Sequence, residues 1–502
     1  MKCRILSTLL ISLFLIAPEL SMGQTQKTST KKFIKELDRQ IPEWLDEFIV
    51  PGAAIVIIDD GEVVLKKGYG YADKKKDEKV GIHTGFNIGS ISKTVAAWGV
   101  MKLVEDGVLD LDTPAETYLT RWKLPKTEFD PKEVTLRRLL SHTAGLSLHG
   151  YPGWSSLSEL PSIEESLNGK NNGPGDVRII LEPGTQWKYS GGGFTISQLI
   201  IEEVTGQDFS DYMQSTVLDP LGMTHSSYEI DEEILAASSQ EHNAFGETID
   251  FEYFTAEAAA GLHTTIEDFS KFALASLSPI KKLKDFQSVL DPATVADMAV
   301  PAPASNGGYG LGYSVQTFDN ANTTLVGHGG ANTGWHAFLR VNQETGDGFA
   351  MVTNGGSGYN VYNQAYCAWL EWEYDISGGN RCKKSIAPVL INALSSEGID
   401  KAIAKYHDIK QNQKDDYYYG EGLINGFGYQ LLQRGSIKEA IAFFDLNVKE
   451  HPDSYNVYDS LGEAYMENGQ NDLAIKNYKI SIELNPDNIN GKEMLKKLMA
   501  KK

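Results

Sequence analysis

Three times in this 502-residue chain a serine stands three residues before a lysine: Ser29 and Lys32, Ser90 and Lys93, Ser278 and Lys281. One helical turn brings such a pair onto the same face. There the amine can take the hydroxyl proton and leave an oxygen able to attack a carbonyl. The spacing alone is a weak signal, so the surroundings decide. Ser29 lies in a polar stretch, and Ser278 opens the lysine-rich segment Ser278-Pro-Ile-Lys-Lys-Leu-Lys-Asp-Phe286. Only Ser90 is followed by an apolar run, Val95 to Val104. A buried helix beginning there sets the serine at its N-terminus, where the dipole and a free N–H favour developing negative charge. The ordinary alternative is a capping serine with a solvated lysine one turn on.

Two later stretches shift that balance. Glu182-Pro-Gly-Thr-Gln-Trp-Lys-Tyr189 runs into a glycine-rich turn, Gly191 to Gly193, and Gly327-His328-Gly329-Gly330-Ala331 precedes a strand beginning at Trp335. Singly, Tyr189 reads as a packed aromatic and His328 as a loop histidine. In this order behind Ser90 and Lys93, the three stretches resemble the motifs of the serine β-lactamase and penicillin-binding-protein superfamily. Further segments are similar to its class C β-lactamase, D,D-peptidase and esterase branch: Thr135-Leu-Arg-Arg-Leu-Leu-Ser-His-Thr-Ala-Gly-Leu146, Pro220-Leu-Gly-Met-Thr224, Ala260-Gly-Leu-His-Thr264 and Tyr309-Gly-Leu-Gly-Tyr313. The resemblance covers roughly residues 35–375.

It implies that Ser90 forms an acyl-enzyme, that Lys93 and Tyr189 share the proton transfers, and that the N–H groups of Ser90 and Ala331 make the oxyanion hole. It further implies that His328, on an edge strand, orients the leaving group or a substrate carboxylate, with Gly330 and Gly191 lining the substrate. A lysine serves as base near neutrality only where burial or a neighbouring cation lowers its pKa. Two departures from the family pattern matter. Gly191 stands where the second motif has an asparagine that holds the amide of β-lactams, and His328 stands where most β-lactamases have lysine. Both point away from antibiotic hydrolysis and toward peptidase or esterase relatives. His142 and His263 read as structural histidines. No His or Cys pair has metal-ligand spacing, and the glycine-rich turn matches no phosphate cradle, so neither metal nor cofactor is expected.

The elements that must position these residues are legible in outline. Lys2 and Arg4, the apolar run Ile5 to Ile16 and the small residues up to Gly23 read as a cleavable export signal over residues 1–23, too short to remain as a membrane anchor. Residues 24–34 read as a polar tether and 35–378 as the hydrolase-like domain. Ala53 to Ile58 and Glu62 to Leu65 flank Asp60-Gly61, a tight-hairpin dipeptide, and Trp335 to Val341 with Gly348 to Thr353 read as a second hairpin. The apolar run after Ser90 reads as a buried helix ended by Gly107. Hairpins at both ends of a helical middle predict an α+β fold in which one antiparallel sheet, closed by the two chain ends, packs against helices.

Beyond about residue 380 the pattern changes. Gly428, Gly435, Ala440, Phe444 and Pro452 return as Gly462, Gly469, Ala474, Tyr478 and Pro486, each 34 residues on. That period resembles tetratricopeptide repeats and predicts an all-α region over 385–502, with a degenerate earlier unit at 387–410 and a capping helix over Met494 to Met499. Such repeats offer a concave surface for a protein partner, or merely cap the hydrolase. Cys367 and Cys382 lie close enough to pair in an oxidising compartment, and their spacing leaves the pairing open. The formal charge of −21, from 46 Lys+Arg against 67 Asp+Glu, argues against nucleic acid. The reading is therefore an exported acyl hydrolase, periplasmic or extracellular, acting on a small peptide or ester. A β-lactamase and a non-catalytic scaffold are the alternatives.

Overall fold

The computed structural model describes residues 28–170, 175–277 and 289–500. The expected export signal, residues 24–27 of the tether and the Ser278/Lys281 pair lie outside the described residues. Among the described residues no helix is long and apolar enough to cross a membrane.

The first helix, α1 (Thr30–Glu47), starts earlier than the tether reading allows. Ser29 is its N-cap residue, which accounts for one of the decoy serines. Phe33, Leu37, Ile41, Trp44 and Leu45 recur at helical spacing, so a buried stripe begins inside the supposed tether. Phe33 stacks on Trp372, with ring centroids 4.3 Å apart.

Seven strands form one antiparallel sheet: β1 (Gly52–Asp59), β2 (Glu62–Asp73), β3 (Glu78–Lys79), β4 (Ser314–Phe318), β5 (Thr323–Asn332), β6 (Trp335–Asn342) and β7 (Asp347–Thr353), in the order β3-β2-β1-β7-β6-β5-β4. Asp60 and Gly61 both take positive φ, 53° and 82°, as the primed turn joining β1 and β2 requires. The centre of the sheet is where its first and last strands meet, because β1 pairs with β7, Ala53 opposite Thr353 through Ile58 opposite Gly348. The unbroken apolar run of β1 follows from this position. Ala53, Ile55 and Ile57 enter a core with α1 and α5 (Gly358–Tyr374), while Ala54, Val56 and Ile58 enter the larger core on the opposite face.

That larger core holds α2 (Ile91–Glu105), α3 (Gly191–Thr205) and α4 (Ile266–Ala275). Helix α2 is buried on every side from Ile91 to Met101, and Gly107, at φ +72°, ends it with a left-handed turn. Burying each large aliphatic side chain on such a helix contributes about 1.5–3 kcal/mol. The 191–193 glycines are the first turn of α3 and not a free-standing loop.

A disulfide joins Cys367 of α5 to Cys382. Seven helices follow: α6 (Ala387–Glu397), α7 (Ile399–Asn412), α8 (Glu421–Gln433), α9 (Ile437–Glu450), α10 (Tyr455–Glu467), α11 (Asn471–Leu484) and α12 (Ile489–Ala500). The 34-residue offset separates the starts of α8 and α10, and of α9 and α11. Its physical basis is a small residue where paired helices cross: a Cβ on Gly428 would meet the Phe444 ring at 2.5 Å, and one on Gly462 would meet the Tyr478 ring at 3.3 Å.

Candidate active site

The position of Ser90 is set by a short ladder and a strained turn. Gly85–Asn87 pairs with His263–Thr265, and the Asn87 side chain accepts from the Gly89 N–H at 2.7 Å. Gly89 takes φ +50°, where L-residues are strained, and a Cβ there would lie 2.6 Å from the Ala331 nitrogen. Helix α2 then starts with Ser90 at its N-cap. The next strand is pressed just as closely: a Cβ on Gly330 would stand 1.9 Å from the Ile88 carbonyl oxygen. Two glycines therefore let β5 lie directly on the segment that carries Ser90, with the Ala331 amide beside Gly89.

Lys93, one turn into α2 and only 2% exposed, donates to Ser90 Oγ at 3.1 Å and to the Ala259 carbonyl at 2.6 Å. Lys93 is thus a buried lysine bonded to a half-buried serine, unlike the exposed decoy Lys32. The Tyr189 ring centroid lies 5.0 Å from Lys93 Nζ. Among the described residues no hydrogen bond joins the Tyr189 hydroxyl to Ser90 or Lys93.

His328 sits on β5, which is the penultimate strand, not the edge. Its surroundings are nevertheless an edge, because β4 pairs with β5 only between Phe318 opposite Thr323 and Ser314 opposite Gly327. The backbone from His328 to Ala331 runs past the end of β4. His328 Nδ1 lies 2.5 Å from the Gly329 carbonyl, which places its proton there, and buried Nε2 has no partner among the described residues. Burial, and then the charge of Lys93, push its pKa down to about 3, so the ring is neutral at pH 7. Its Nε2 is left as a buried acceptor without a partner among the described residues, beside the rings of Tyr189 and Tyr309.

His142, read from the sequence as structural, belongs to this site. Its backbone takes φ +57°. Its carbonyl accepts from the Lys188 N–H at 2.8 Å and its Nδ1 accepts from the Ser190 N–H at 3.1 Å, so it grips the chain on both sides of Tyr189. The two rings are 4.2 Å apart. Burial, with Lys93 adding to it, lowers the His142 pKa well below the usual range. His149 and Tyr309 complete the wall, their ring centroids 4.7 Å from Tyr189 and 5.7 Å from His328 respectively. Neither the grip of His142 nor this aromatic wall has a signal in the spacing of residues. His263 lies in the ladder behind Ser90, its ring stacked on Phe251.

Gly191 donates its N–H to the His149 carbonyl at 3.0 Å, and a Cβ there would stand 3.0 Å from the same oxygen. The 148–150 backbone fills the space that a side chain at 191 would need. Away from the cleft, Asp59, Asp347 and Glu373 bring carboxylate oxygens within 4.8 Å of one another. Asp347 there accepts from the Asp60 N–H and the Tyr374 hydroxyl, at the turn end of the sheet.

A family model described as Beta-lactamase matches residues 37–366. Protein flp of Staphylococcus aureus strain N315 is 26% identical over 342 residues, 65% of this chain and 64% of that protein. The chain thus spans a little under two thirds of that relative's length. A putative penicillin-binding protein, PbpX of Bacillus subtilis strain 168, is 32% identical over 208 residues, 41% of this chain and 48% of that one. Among solved structures, the octameric penicillin-binding protein homologue from Pyrococcus abyssi superposes with a TM-score of 0.56 at 25% identity, covering 72% of this chain and 81% of that one. SurE, solved with D-Leu, shares the fold at a TM-score of 0.55 and 24% identity, over 69% of this chain and 77% of that one.

Proposed function

This chain belongs to the β-lactamase family, and on that footing we propose that it is an exported serine hydrolase that cleaves a peptide or ester through an acyl-enzyme on Ser90. The observation that carries the reading is the 3.1 Å hydrogen bond from buried Lys93 to half-buried Ser90 at the start of α2. Ser90 Oγ attacks the substrate carbonyl carbon while its proton passes to the Lys93–Tyr189 pair. The oxyanion forms against the N–H groups of Ser90 and Ala331, beside the positive end of the helix. Collapse breaks the bond to the leaving group, which takes the proton back from the pair. Water then attacks the acyl carbon by the same route and releases the acid and free Ser90.

His328 contributes an acceptor only. A neutral ring whose Nδ1 proton is engaged cannot hold a carboxylate, so its role is to accept from an N–H or O–H of the leaving group. The loop carbonyl at His149 occupies the place of the side chain that would hold a β-lactam amide, which favours peptidase or esterase chemistry over antibiotic hydrolysis. A substrate with a D-residue fits the D-Leu bound by the structural relative SurE. The disulfide between Cys367 and Cys382 supports an oxidising compartment, in keeping with the signal-like N-terminus.

The experiment is active-site labelling followed by intact-mass measurement. A fluorophosphonate adds one adduct to the wild type and none to Ser90→Ala, and D-residue peptides or short esters are turned over only by the wild type. Equal labelling of both proteins refutes the nucleophile. Nitrocefin turnover faster than that of every peptide and ester establishes the β-lactamase alternative, and complete inertness establishes the scaffold alternative.

A further inference from the structure

The C-terminal helices pack directly against the domain that carries Ser90. Ile49, Ala244 and Phe245 pack into the helical region's core. The Phe245 ring stacks on Phe427 at 6.2 Å, and the Arg434 guanidinium lies 4.5 Å from the Phe245 ring while pairing with Glu247. Between the two regions is a cavity of about 370 Å³. Asn332, Thr333 and Gly334, the turn between β5 and β6, bound one side, and Gln430, Gln433 and Arg434 at the end of α8 bound the other.

The cavity opens one residue past Ala331. Asn332 is also tied to the nucleophile's support, its amide donating to Asn87 Oδ1 at 2.8 Å. The open backbone edge from His328 to Ala331 accepts an extended chain as an added strand. With the leaving group at His328, an acyl chain lying on that edge runs the other way, past Ala331, and arrives at Asn332. The amide hydrogens of Asn332 are held by Asn87 Oδ1 and the Ala260 carbonyl, which leaves its oxygen as an acceptor, while the amides of Gln430 and Gln433 both donate and accept, which matches a peptide backbone. Glu247 cancels the charge of Arg434, so the lining selects no charged group.

We infer that Gln430 and Gln433 of α8, facing Asn332 and Thr333, form a subsite for the distal residues of a peptide acyl donor, so that the C-terminal helical region selects the substrate. This rests on the hydrolase reading above. Gln430 and Gln433 are exposed, so a larger side chain at either fills the cavity without entering a core. The test uses the full-length protein and two donors with the same leaving group, one carrying an acetyl group and one an N-acetyl tripeptide ending in a D-residue. In Gln433→Trp the ratio of kcat/KM for the long donor over the short one falls at least tenfold. An unchanged ratio overturns the subsite and leaves the hydrolase standing. A second arm needs no turnover: N-acetyl tripeptide binding to Ser90→Ala, measured by calorimetry, weakens at least tenfold when Gln433→Trp is added. Equal affinities overturn the subsite, whereas weakened binding with no turnover of any donor by the wild type overturns the hydrolase reading alone.

Discussion

Adjacent glycines on β5 should respond oppositely to the same added methyl group. At Gly330 the new Cβ would stand 1.9 Å from the Ile88 carbonyl oxygen and 2.9 Å from its carbon, both of them backbone atoms. Contacts of this kind below 3.0 Å are essentially never seen, so β5 and the Ile88–Ser90 segment must part by about 1 Å. That is the gap across which the Ser90 and Ala331 amides converge. At Gly329 the same methyl meets only the Phe338 ring, at 3.6 Å, an ordinary contact on the other face. Loss of one oxyanion donor, or a misplacement of about 1 Å, costs about 100-fold in rate, or about 2.7 kcal/mol in barrier. Gly330→Ala is therefore expected to lower kcat/KM about 100-fold, with most of the loss in kcat, while Gly329→Ala stays within about threefold of wild type. The assay is steady-state hydrolysis of a chromogenic short ester, with far-ultraviolet circular dichroism and a thermal melt to show that the sheet is intact. Wild-type rates in folded Gly330→Ala, or equal losses in both variants, would refute the argument that β5 and the nucleophile turn are held in register by that contact.

His142→Asn should retain activity that His142→Ala loses. Asparagine tolerates the left-handed backbone and offers an oxygen near the place of Nδ1, whereas alanine leaves the buried Ser190 N–H without its acceptor, at about 1–3 kcal/mol. A kcat at least tenfold lower in the alanine variant than in the asparagine variant, with similar KM, is the expected pattern, and equal kcat values would count against a positioning role. Glu241 supplies a pH signature in stability. Burial raises its pKa from 4.5 to about 8, so its neutral form favours the fold fully at low pH and that contribution is lost as pH rises through about 8. Buried His328, depressed to about 3, works in the opposite sense and only below its ordinary value of 6.5, while Glu257, also raised to about 8, acts in the same window in both proteins, so the difference between variant and wild type isolates Glu241. Thermal melts of Glu241→Gln should fall less steeply than wild type between about pH 6.5 and 8, and parallel slopes would contradict the assignment.

Local signals in the chain determined a good deal. The apolar run after Ser90 separated it from two decoys, because a buried helix is the one setting in which Lys93 turns inward. Asp60-Gly61 marked the hairpin through a backbone conformation that few residue types adopt, and Gly428 and Gly462 marked helix crossings through contacts that repeat every 34 residues. The start of α1 was misplaced because Thr30 to Lys32 are polar, and only packing against Trp372 makes Phe33 part of a core. Everything that depends on contacts between distant segments was decided by the tertiary structure. Residue spacing carries no record that the β4–β5 ladder stops at Ser314 opposite Gly327 and leaves His328 beside an open edge, that His142 grips the chain around Tyr189, or that α8 closes a cavity next to Asn332. The Ser90–Lys93 pair was readable because one helical turn brings residues three apart onto the same face. The groups around it were not, because Tyr189, His142 and His328 come from segments far apart in the chain, and only the packed sheet and cores bring them together.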